Sequence, residues 1–233
     1  MAARLITIEG IDGAGKTTLA AALREALLAR GIDAVALREP GGVALAERIR
    51  SLVKDPGLEI DDRAEALLYA ASRAQLVAER VAPELAAGRW VLLDRYIDSS
   101  LAYQGAARGL RTEDVAWLSH WATDGLVPDL TILLDLPPQA GLGRRTRSAD
   151  RLEAEPTEFH DRVRAGFLSL ARQDPQRYLV LDATRPAAEL TQEIQERVRE
   201  MLPDPVPVVA EADTGSFPAI VDESVAAGSD HRR

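Results

Sequence analysis

The chain has 233 residues, of which 46% are hydrophobic, so it is long enough for one α/β domain with a sizeable buried core. Its net charge of −9 argues against a broad nucleic-acid-binding surface, although a local basic site for phosphates is compatible with it. The absence of cysteine excludes disulfides, thiolate metal sites and cysteine nucleophiles, and the three histidines show no metal-ligand spacing.

Five apolar runs are typical of β-strands, and helical patterns fill the intervals between them. Because the runs are apolar throughout, they suit a parallel sheet that is covered on both faces. The alternation of strands with helices predicts an α/β fold with a doubly wound, five-stranded parallel sheet and helices on both faces. The predicted strands are residues 5–9, 34–37, 90–94, 130–136 and 178–182.

The segment after the first predicted strand fits the phosphate-binding pattern G-x-x-x-x-G-K-[ST], and a predicted helix follows it, as this motif requires. Its glycines let backbone N–H groups converge on phosphate oxygens at the helix N-terminus. We expect Lys16 to reach the β- and γ-phosphates of ATP and the Thr17 hydroxyl to hold Mg²⁺. Lys16 is one of only two lysines, the other being Lys54, which fits a need for a compact charge at this position. The residues expected to bind ATP are Gly10, Ile11, Asp12, Gly13, Ala14, Gly15, Lys16, Thr17 and Thr18.

A phosphate-binding loop by itself is compatible with kinases, GTPases, transport ATPases and helicases. A GTPase needs the guanine-recognition motif N/T-K-x-D, and neither of the two lysines lies in one. Helicases and transport ATPases are normally longer than this chain. The pattern therefore favours a kinase.

Polar residues gather where the predicted strands end. The second strand leads into Arg38-Glu39-Pro40-Gly41-Gly42, and the third into Asp94-Arg95-Tyr96 and then 98–105. The carboxyl ends of parallel strands meet at one edge of a sheet, where ligands bind. We therefore expect carboxylate, guanidinium, hydroxyl and amide groups around a single crevice.

Four blocks, in their order and spacing, make the sequence resemble the bacterial thymidylate kinases, which are nucleoside monophosphate kinases with the P-loop kinase fold. They are Glu9-Gly10-Ile11-Asp12-Gly13-Ala14-Gly15-Lys16-Thr17-Thr18, Arg38-Glu39-Pro40-Gly41-Gly42, Asp94-Arg95-Tyr96 through Ala102-Tyr103-Gln104-Gly105, and Asp150-Arg151-Leu152-Glu153. The first block is generic to P-loop proteins, whereas the second and third together are specific to this family. The resemblance covers roughly residues 4–201. It implies transfer of a phosphoryl group from MgATP to dTMP.

The resemblance implies roles around the acceptor sugar and phosphate. Asp12 would accept a hydrogen bond from the 3′-hydroxyl, although an aspartate here also suits an ordinary turn. Arg95 would bind the 5′-phosphate through its guanidinium fork, and Asp94 would help Thr17 to hold Mg²⁺. The alternative for this pair is a salt bridge at the strand end. Arg50 is a further candidate for the acceptor phosphate, or else a surface residue of its helix.

The resemblance also implies a pocket for the thymine base. Tyr69 would stack on the base and Arg73 would bond its O4 carbonyl, since the two residues share one face of a predicted helix over 62–87. The alternative is a core aromatic residue beside a solvated arginine. The family usually has phenylalanine at the stacking position. Ser100 and Gln104 would complete recognition of the base edge, and Tyr103 would crowd the ribose 2′ carbon.

Four arginines, Arg144, Arg145, Arg147 and Arg151, follow the fourth predicted strand in a polar stretch. A charge run of this kind is typical of a solvated helix face. As a group, the arginines resemble the family's mobile lid, expected at about 144–156, which brings arginine to the transferring phosphoryl group. Gly13 stands where one branch of the family carries an arginine. The resemblance thus assigns this charge to the lid, with Arg151 as the leading catalytic candidate beside Lys16, Asp94 and Arg95.

Two other interpretations stay open. The first is a kinase for another deoxynucleotide or for a nucleoside, and a nucleoside kinase needs a carboxylate base, which Glu9 or Asp94 could supply. The second is a nucleotide-binding switch without turnover. The Asp94-Arg95-Tyr96 block and the base-edge residues favour a monophosphate acceptor.

Beyond residue 202 the periodic pattern stops. Prolines interrupt residues 203–233, and small and acidic residues dominate there, which predicts a mobile tail after a domain spanning 1–202. The N-terminus lacks the features of a signal peptide, and no apolar run approaches about 18 residues. We therefore expect a cytoplasmic protein that binds neither membranes nor nucleic acid. The family is commonly dimeric, which implies a homodimer.

Overall fold

In the computed structural model, which describes residues 2–143 and 149–202, five parallel strands form a sheet of order β2-β3-β1-β4-β5. The strands are β1 (Leu5–Glu9), β2 (Ala34–Arg38), β3 (Trp90–Asp94), β4 (Leu130–Asp135) and β5 (Tyr178–Asp182). Because β1 pairs with β3 on one side and with β4 on the other, the chain switches direction across the sheet at β1. This topology confirms the predicted doubly wound parallel sheet.

Helices connect the strands and cover the sheet. They are α1 (Lys16–Leu28), α2 (Ala44–Lys54), α3 (Asp62–Leu76), α4 (Ala82–Ala86), α5 (Ile97–Ser100), α6 (Thr112–Ala122), α7 (Pro138–Gly143), α8 (Thr157–Gln173) and α9 (Ala187–Arg199). A π-helical segment, Val77–Val81, joins α3 to α4, and a second, Leu101–Ala107, continues α5. The helix predicted over 62–87 is therefore present with one π-helical interruption. In the part of the chain that the structure describes, no helix has both the length and the apolar character that a bilayer crossing requires.

Alternate residues of the central strands contribute to two separate hydrophobic clusters. Ile6 and Leu92 pack with α1 and α8, whereas Leu5 and Val91 pack with the π-helical segment after α3. Successive side chains of a strand point to opposite faces, so these two clusters lie on opposite faces of the sheet. Burial on both faces explains why these strands are apolar throughout.

Two of the predicted features fall outside the described residues. These are the tail 203–233 and the first part of the expected lid, including Arg144, Arg145 and Arg147. The domain bounds of 1–202 stay a prediction.

Truncation of a central-strand residue should lower stability strongly. Leu92 is fully buried, so we expect Leu92→Ala to lower the free energy of unfolding by about 2–5 kcal/mol through lost contacts and a residual cavity. Urea denaturation followed by circular dichroism measures this loss. Leu58→Ala, at a loop residue that is 40% exposed, is the matched control and should change stability by less than about 1 kcal/mol. Equal losses in the two variants would contradict the assignment of Leu92 to the core.

Candidate active site

A cleft of about 540 Å³ opens at the carboxyl ends of β1, β2 and β3. Its walls are the loop between β1 and α1, the end of β2, part of α2, Tyr69 of α3, the segment after β3, and residues 150 and 152. The predicted site residues that line it are Asp12, Gly13, Gly15, Lys16, Thr17, Thr18, Arg50, Tyr69, Asp94, Arg95, Ser100, Tyr103 and Gln104. The structure thus brings residues predicted for ATP and residues predicted for the acceptor into one cleft.

Five predicted residues do not line this cleft: Gly10, Ile11, Ala14, Arg73 and Arg151. The side chains of Ile11 and Ala14 are buried in the core, and their backbone shapes the loop. Arg73 is 1% exposed and bonds to residues that line the cleft, and Arg151 bonds to Val53 and Glu65.

Two glycines in the loop between β1 and α1 hold conformations that other residues adopt only with strain. Gly10 has φ 133°, and a Cβ there would approach the Leu134 carbonyl oxygen to 2.5 Å. Gly13 has φ 82°, and its Cβ would lie 2.7 Å from the Gly141 carbonyl oxygen. The loop therefore packs directly against the backbone of β4 and of α7, and α1 begins immediately after it, at Lys16.

Lys16, the first residue of α1, places an ammonium group in the wall of the cleft. Lys16 is 6% exposed, and its Nζ donates a hydrogen bond to the Ile11 carbonyl oxygen at 2.8 Å. Burial and the neighbouring Arg95 lower the pKa of Lys16 to about 8, against the opposing effect of Asp12. The ammonium is thus held inside the loop but incompletely compensated, which suits it to phosphate binding.

A hydroxyl and a carboxylate meet next to this lysine. Thr17 Oγ1 donates a hydrogen bond of 2.5 Å to Asp94 Oδ2, joining the start of α1 to the end of β3. Magnesium in phosphate-transfer sites takes oxygen ligands from one or two such side chains and from the substrate phosphates. These two groups fit that chemistry. Within residues 2–143 and 149–202, no group of three or more histidine, aspartate or glutamate residues is arranged to hold a metal by itself.

Arg95 joins several parts of the cleft. Its backbone has φ 70°, in the left-handed region, and its amide donates to the Ile8 carbonyl oxygen at 3.0 Å. Its Nη1 donates to the Gly10 carbonyl oxygen and its Nη2 to Asp12 Oδ1, at 3.1 and 2.9 Å. The guanidinium also lies over the Tyr103 ring, 5.1 Å from its centroid. Burial would raise the pKa of Asp12, but Arg95 and Lys16 outweigh this effect and hold it well below its usual range.

Arg73, predicted to bond the thymine carbonyl, forms a buried cluster below the cleft. It is 1% exposed, and its Nε donates to Glu39 Oε2 at 2.8 Å. Its Nη2 donates to the Tyr96 carbonyl oxygen and to Ser100 Oγ, at 2.9 and 3.0 Å. Glu39 and Ser100 line the cleft, so Arg73 positions both, and its own contact with a base stays a prediction.

Arg50 reaches the cleft from α2. It is half-buried, and its Nη1 donates to the Pro40 carbonyl oxygen at 2.7 Å, next to the cis Glu39–Pro40 peptide bond. Its guanidinium therefore faces the turn after β2 and not the outer surface of the helix. Its contact with an acceptor phosphate stays a prediction.

The segment that contains Arg151 forms a capped turn against α2 and α3. Asp150 Oδ1 accepts from the Leu152 and Glu153 amides, and Glu153 Oε2 accepts in return from the Asp150 amide. Arg151 Nε donates to the Val53 carbonyl oxygen at 3.0 Å, and its Nη2 donates to Glu65. These contacts attach the guanidinium to the end of α2 and to the first turn of α3. The predicted contact of Arg151 with the transferring phosphoryl group stays a prediction.

Comparison with known proteins agrees with this arrangement. The family model for thymidylate kinase matches residues 8–194. The chain belongs to the thymidylate kinase family. The thymidylate kinase of Deinococcus radiodurans is 54% identical over 197 residues, which cover 84% of this chain and 96% of that protein. The thymidylate kinase of Chromobacterium violaceum is 48% identical over 201 residues, covering 85% and 95%, and that of Leifsonia xyli is 54% identical over 196 residues, covering 83% and 93%.

Membership of the thymidylate kinase family confirms the resemblance inferred from the four sequence blocks. Sequence reasoning did not select Lys54, which lines the cleft, or Glu65, which accepts a hydrogen bond from Gln104. Lys54 lines the cleft and pairs with Asp150, and its rarity as the second lysine was a usable signal. Glu65 gave no such signal, because a glutamate in the first turn of a helix is typical of a favourable interaction with the helix dipole.

A buried carboxyl group behind the cleft should make stability depend on pH. Burial, with Asp98 nearby, raises the pKa of Glu9 to about 8, against hydrogen bonds from Ser99 and Tyr96. The native state then holds a proton that the unfolded chain releases near pH 4.5, so stability falls as pH rises toward about 8. We expect Glu9→Gln to gain stability relative to the unsubstituted protein by up to about 1.4 kcal/mol per pH unit over this range. Urea denaturation at several pH values measures the difference.

The control for this prediction is Glu84→Gln. A hydrogen bond from Arg89 holds the pKa of Glu84 below its ordinary value, so this variant should show no comparable trend above about pH 5. A constant difference between Glu9→Gln and the unsubstituted protein would show that Glu9 titrates alike in the folded and unfolded states.

Proposed function

We propose that this protein transfers the γ-phosphoryl group of ATP to dTMP and releases ADP and dTDP. The chain belongs to the thymidylate kinase family. The observation that carries the proposal is that one cleft is lined both by the phosphate-binding loop, as one wall, and by the predicted acceptor residues, as another. The hydrogen bond between Arg95 and Asp12 joins these two walls directly. The thymidylate kinases that share about half of its sequence support the same substrate.

Positioning and charge supply most of the catalysis in phosphoryl transfer. Lys16 would contact the β- and γ-phosphates, and Arg95 the acceptor phosphate, so that positive charge surrounds the transferring group. Thr17 and Asp94 would hold Mg²⁺, which when bound neutralises charge on the phosphates. The acceptor is already an anion, so the chain needs no general base.

The same cleft argues against a nucleoside as acceptor. Such a kinase needs a carboxylate that is open to the 5′-hydroxyl. Glu9 is fully buried, and it accepts hydrogen bonds from the Tyr96 amide and the Ser99 hydroxyl, at 2.7 and 2.6 Å. Asp94 is engaged by Thr17. Neither carboxylate is therefore placed as a base.

Recognition of dTMP rests on the walls formed by α3 and the segment after β3. Tyr69 and Gln104 line the pocket proposed for the base, and Ser100, held by Arg73, lies beside them. Tyr103 is fixed by edge-to-face contacts with Phe159 and Phe167, at centroid distances of 6.1 and 6.3 Å. A rigid ring at this position would exclude a 2′-hydroxyl and so favour deoxynucleotides.

A phosphoryl-acceptor panel tests the proposed function. We expect MgATP to yield ADP rapidly with dTMP, more slowly with dUMP, and negligibly with UMP, dCMP or AMP, as measured by coupled ADP release. Lys16→Ala should lower kcat by about 10²–10³-fold, because it removes charge stabilisation of the transition state. Release of ADP at the same rate without any acceptor would overturn the proposal.

We also propose a homodimer, formed through an exposed apolar patch on α3 and α6. The patch consists of Leu67, Trp117 and Trp121, which are 57%, 66% and 71% exposed. The two indole rings stack with centroids 6.3 Å apart. Large exposed apolar side chains in contact are typical of a protein–protein interface.

Substitution within the patch should separate the subunits. We expect the unsubstituted protein to have the mass of a dimer in light scattering after gel filtration, and Trp117→Glu/Trp121→Glu to have that of a monomer, because buried charge would face the partner. Leu58→Glu, at an exposed apolar residue outside the patch, should stay dimeric. An unsubstituted protein that is monomeric at high concentration would refute the dimer.

A further inference from the structure

Glu65, in the first turn of α3, is a fully buried carboxylate that accepts hydrogen bonds from three side chains. Gln104 Nε2 donates to its Oε1 at 2.8 Å. Arg108 Nη2 donates to its Oε2 at 3.2 Å, and Arg151 Nη2 donates to the same oxygen. The three donors come from the π-helical segment Leu101–Ala107, from the residue that follows it, and from the turn at 150–155. Glu65 therefore ties together three separate parts of the acceptor side.

Two arginines supply charged hydrogen-bond partners to this buried group. A carboxylate removed from water needs charged hydrogen-bond partners, and both oxygens of Glu65 have them. Arg108 is itself held over the Phe159 ring, 4.8 Å from its centroid. Both oxygens of the carboxylate therefore accept hydrogen bonds, and each is bonded only by donors.

An acceptor-only partner determines which way the Gln104 amide faces. A glutamine side chain has one end that donates and one that accepts, and its two orientations have the same shape. Next to Glu65, only the orientation with the nitrogen toward the carboxylate forms a hydrogen bond. The carbonyl oxygen of Gln104 is then turned away from Glu65, on a residue that lines the cleft.

We propose that Glu65 is a positioning residue that sets the base selectivity of the cleft through the orientation of Gln104. This inference rests on the proposed dTMP kinase function. Thymine and uracil carry a donor at N3, which a carbonyl oxygen satisfies, whereas cytosine carries an acceptor there. With cytosine in the pocket, the Gln104 carbonyl oxygen would face the N3 acceptor and both would lose a hydrogen bond, which disfavours dCMP. Glu65 thus acts on selectivity without touching the substrate.

This assignment gives Arg151 a role other than contact with the transferring phosphoryl group. Its guanidinium joins Glu65 to the carbonyl end of α2 through Val53. Lys54, at the end of α2, pairs with Asp150 and so forms a second link between α2 and this turn. The capped turn at 150–155 is therefore attached to the wall that carries the proposed base pocket.

The test compares kcat/KM for dTMP, dUMP and dCMP in the unsubstituted enzyme and in Glu65→Gln. An amide at position 65 can either accept from Gln104 or donate to it, so the Gln104 amide becomes free to turn over. We expect the ratio of dTMP to dCMP to fall by about tenfold, while the ratio of dTMP to dUMP stays unchanged, because both of these bases carry the N3 donor. A merely structural role would move both ratios or neither. Glu84→Gln is the matched control, since Glu84 also accepts from two arginines, Arg80 and Arg89, outside the cleft, and all ratios should stay unchanged.

A swapped pair, Glu65→Gln/Gln104→Glu, keeps one carboxylate and one amide in the cluster. The carboxylate at position 104 again presents an acceptor to the cleft, so this double variant should reject dCMP. If Glu65→Gln alone does not fold, the double variant tests the inference in its place. A folded Glu65→Gln enzyme with the original dTMP to dCMP ratio, or a swapped enzyme that accepts dCMP, overturns the inference. Failure of the unsubstituted enzyme to phosphorylate dTMP would instead overturn the proposed function, so the two failures are distinguishable.

Discussion

The ion pair between Arg95 and Asp12 is the interaction on which the arrangement of the cleft depends. Asp12 lies in the phosphate-binding loop and Arg95 follows β3, so their 2.9 Å hydrogen bond joins that loop to the wall predicted to bind the acceptor. Asp12, Tyr103 and Asp94 outweigh the effect of burial and hold the pKa of Arg95 above its ordinary value. The charge is thus retained although most of the Arg95 side chain is buried. Its unusual backbone, at φ 70°, is supported by the hydrogen bond from its amide to the Ile8 carbonyl oxygen.

Three buried acid–base clusters of similar design surround the cleft. Arg95 with Asp12 lies at its centre, Arg73 with Glu39 lies beneath it, and Glu65 with its arginines lies at its far wall. Each costs desolvation energy, and replacement of such clusters by apolar residues is often neutral or stabilising for folding. Their value here lies in orientation, because a group held by several hydrogen bonds does not need to reorganise when substrate arrives. Polar groups that are already fixed in place are therefore suited to phosphoryl transfer, in which positioning and charge supply most of the catalysis.

Sequence reasoning succeeded where chemistry imposes a local pattern. The loop from Gly10 to Thr17 is recognisable because phosphate binding needs glycines, a lysine and a hydroxyl at set intervals. The strands are recognisable because burial on both faces requires continuous apolar runs. Local patterns say less about Arg73, which pairs with Glu39, and about Arg151, whose partners are Val53 and Glu65, so their contacts with substrate stay predictions. In both, the residue type suggested a ligand contact, while the neighbours that occupy the guanidinium are distant in sequence.

The sequence alone determined the sheet, the phosphate-binding loop and the family, because these follow from periodicity and from motifs that are contiguous in the chain. Only the tertiary structure decided which charges meet. Glu65 and Arg151 are separated by 86 residues, and Asp12 and Arg95 by 83. A buried charge needs a partner, but no local rule says which of many arginines supplies it. That choice depends on how the helices pack around the switch point at β1, which is a property of the whole fold.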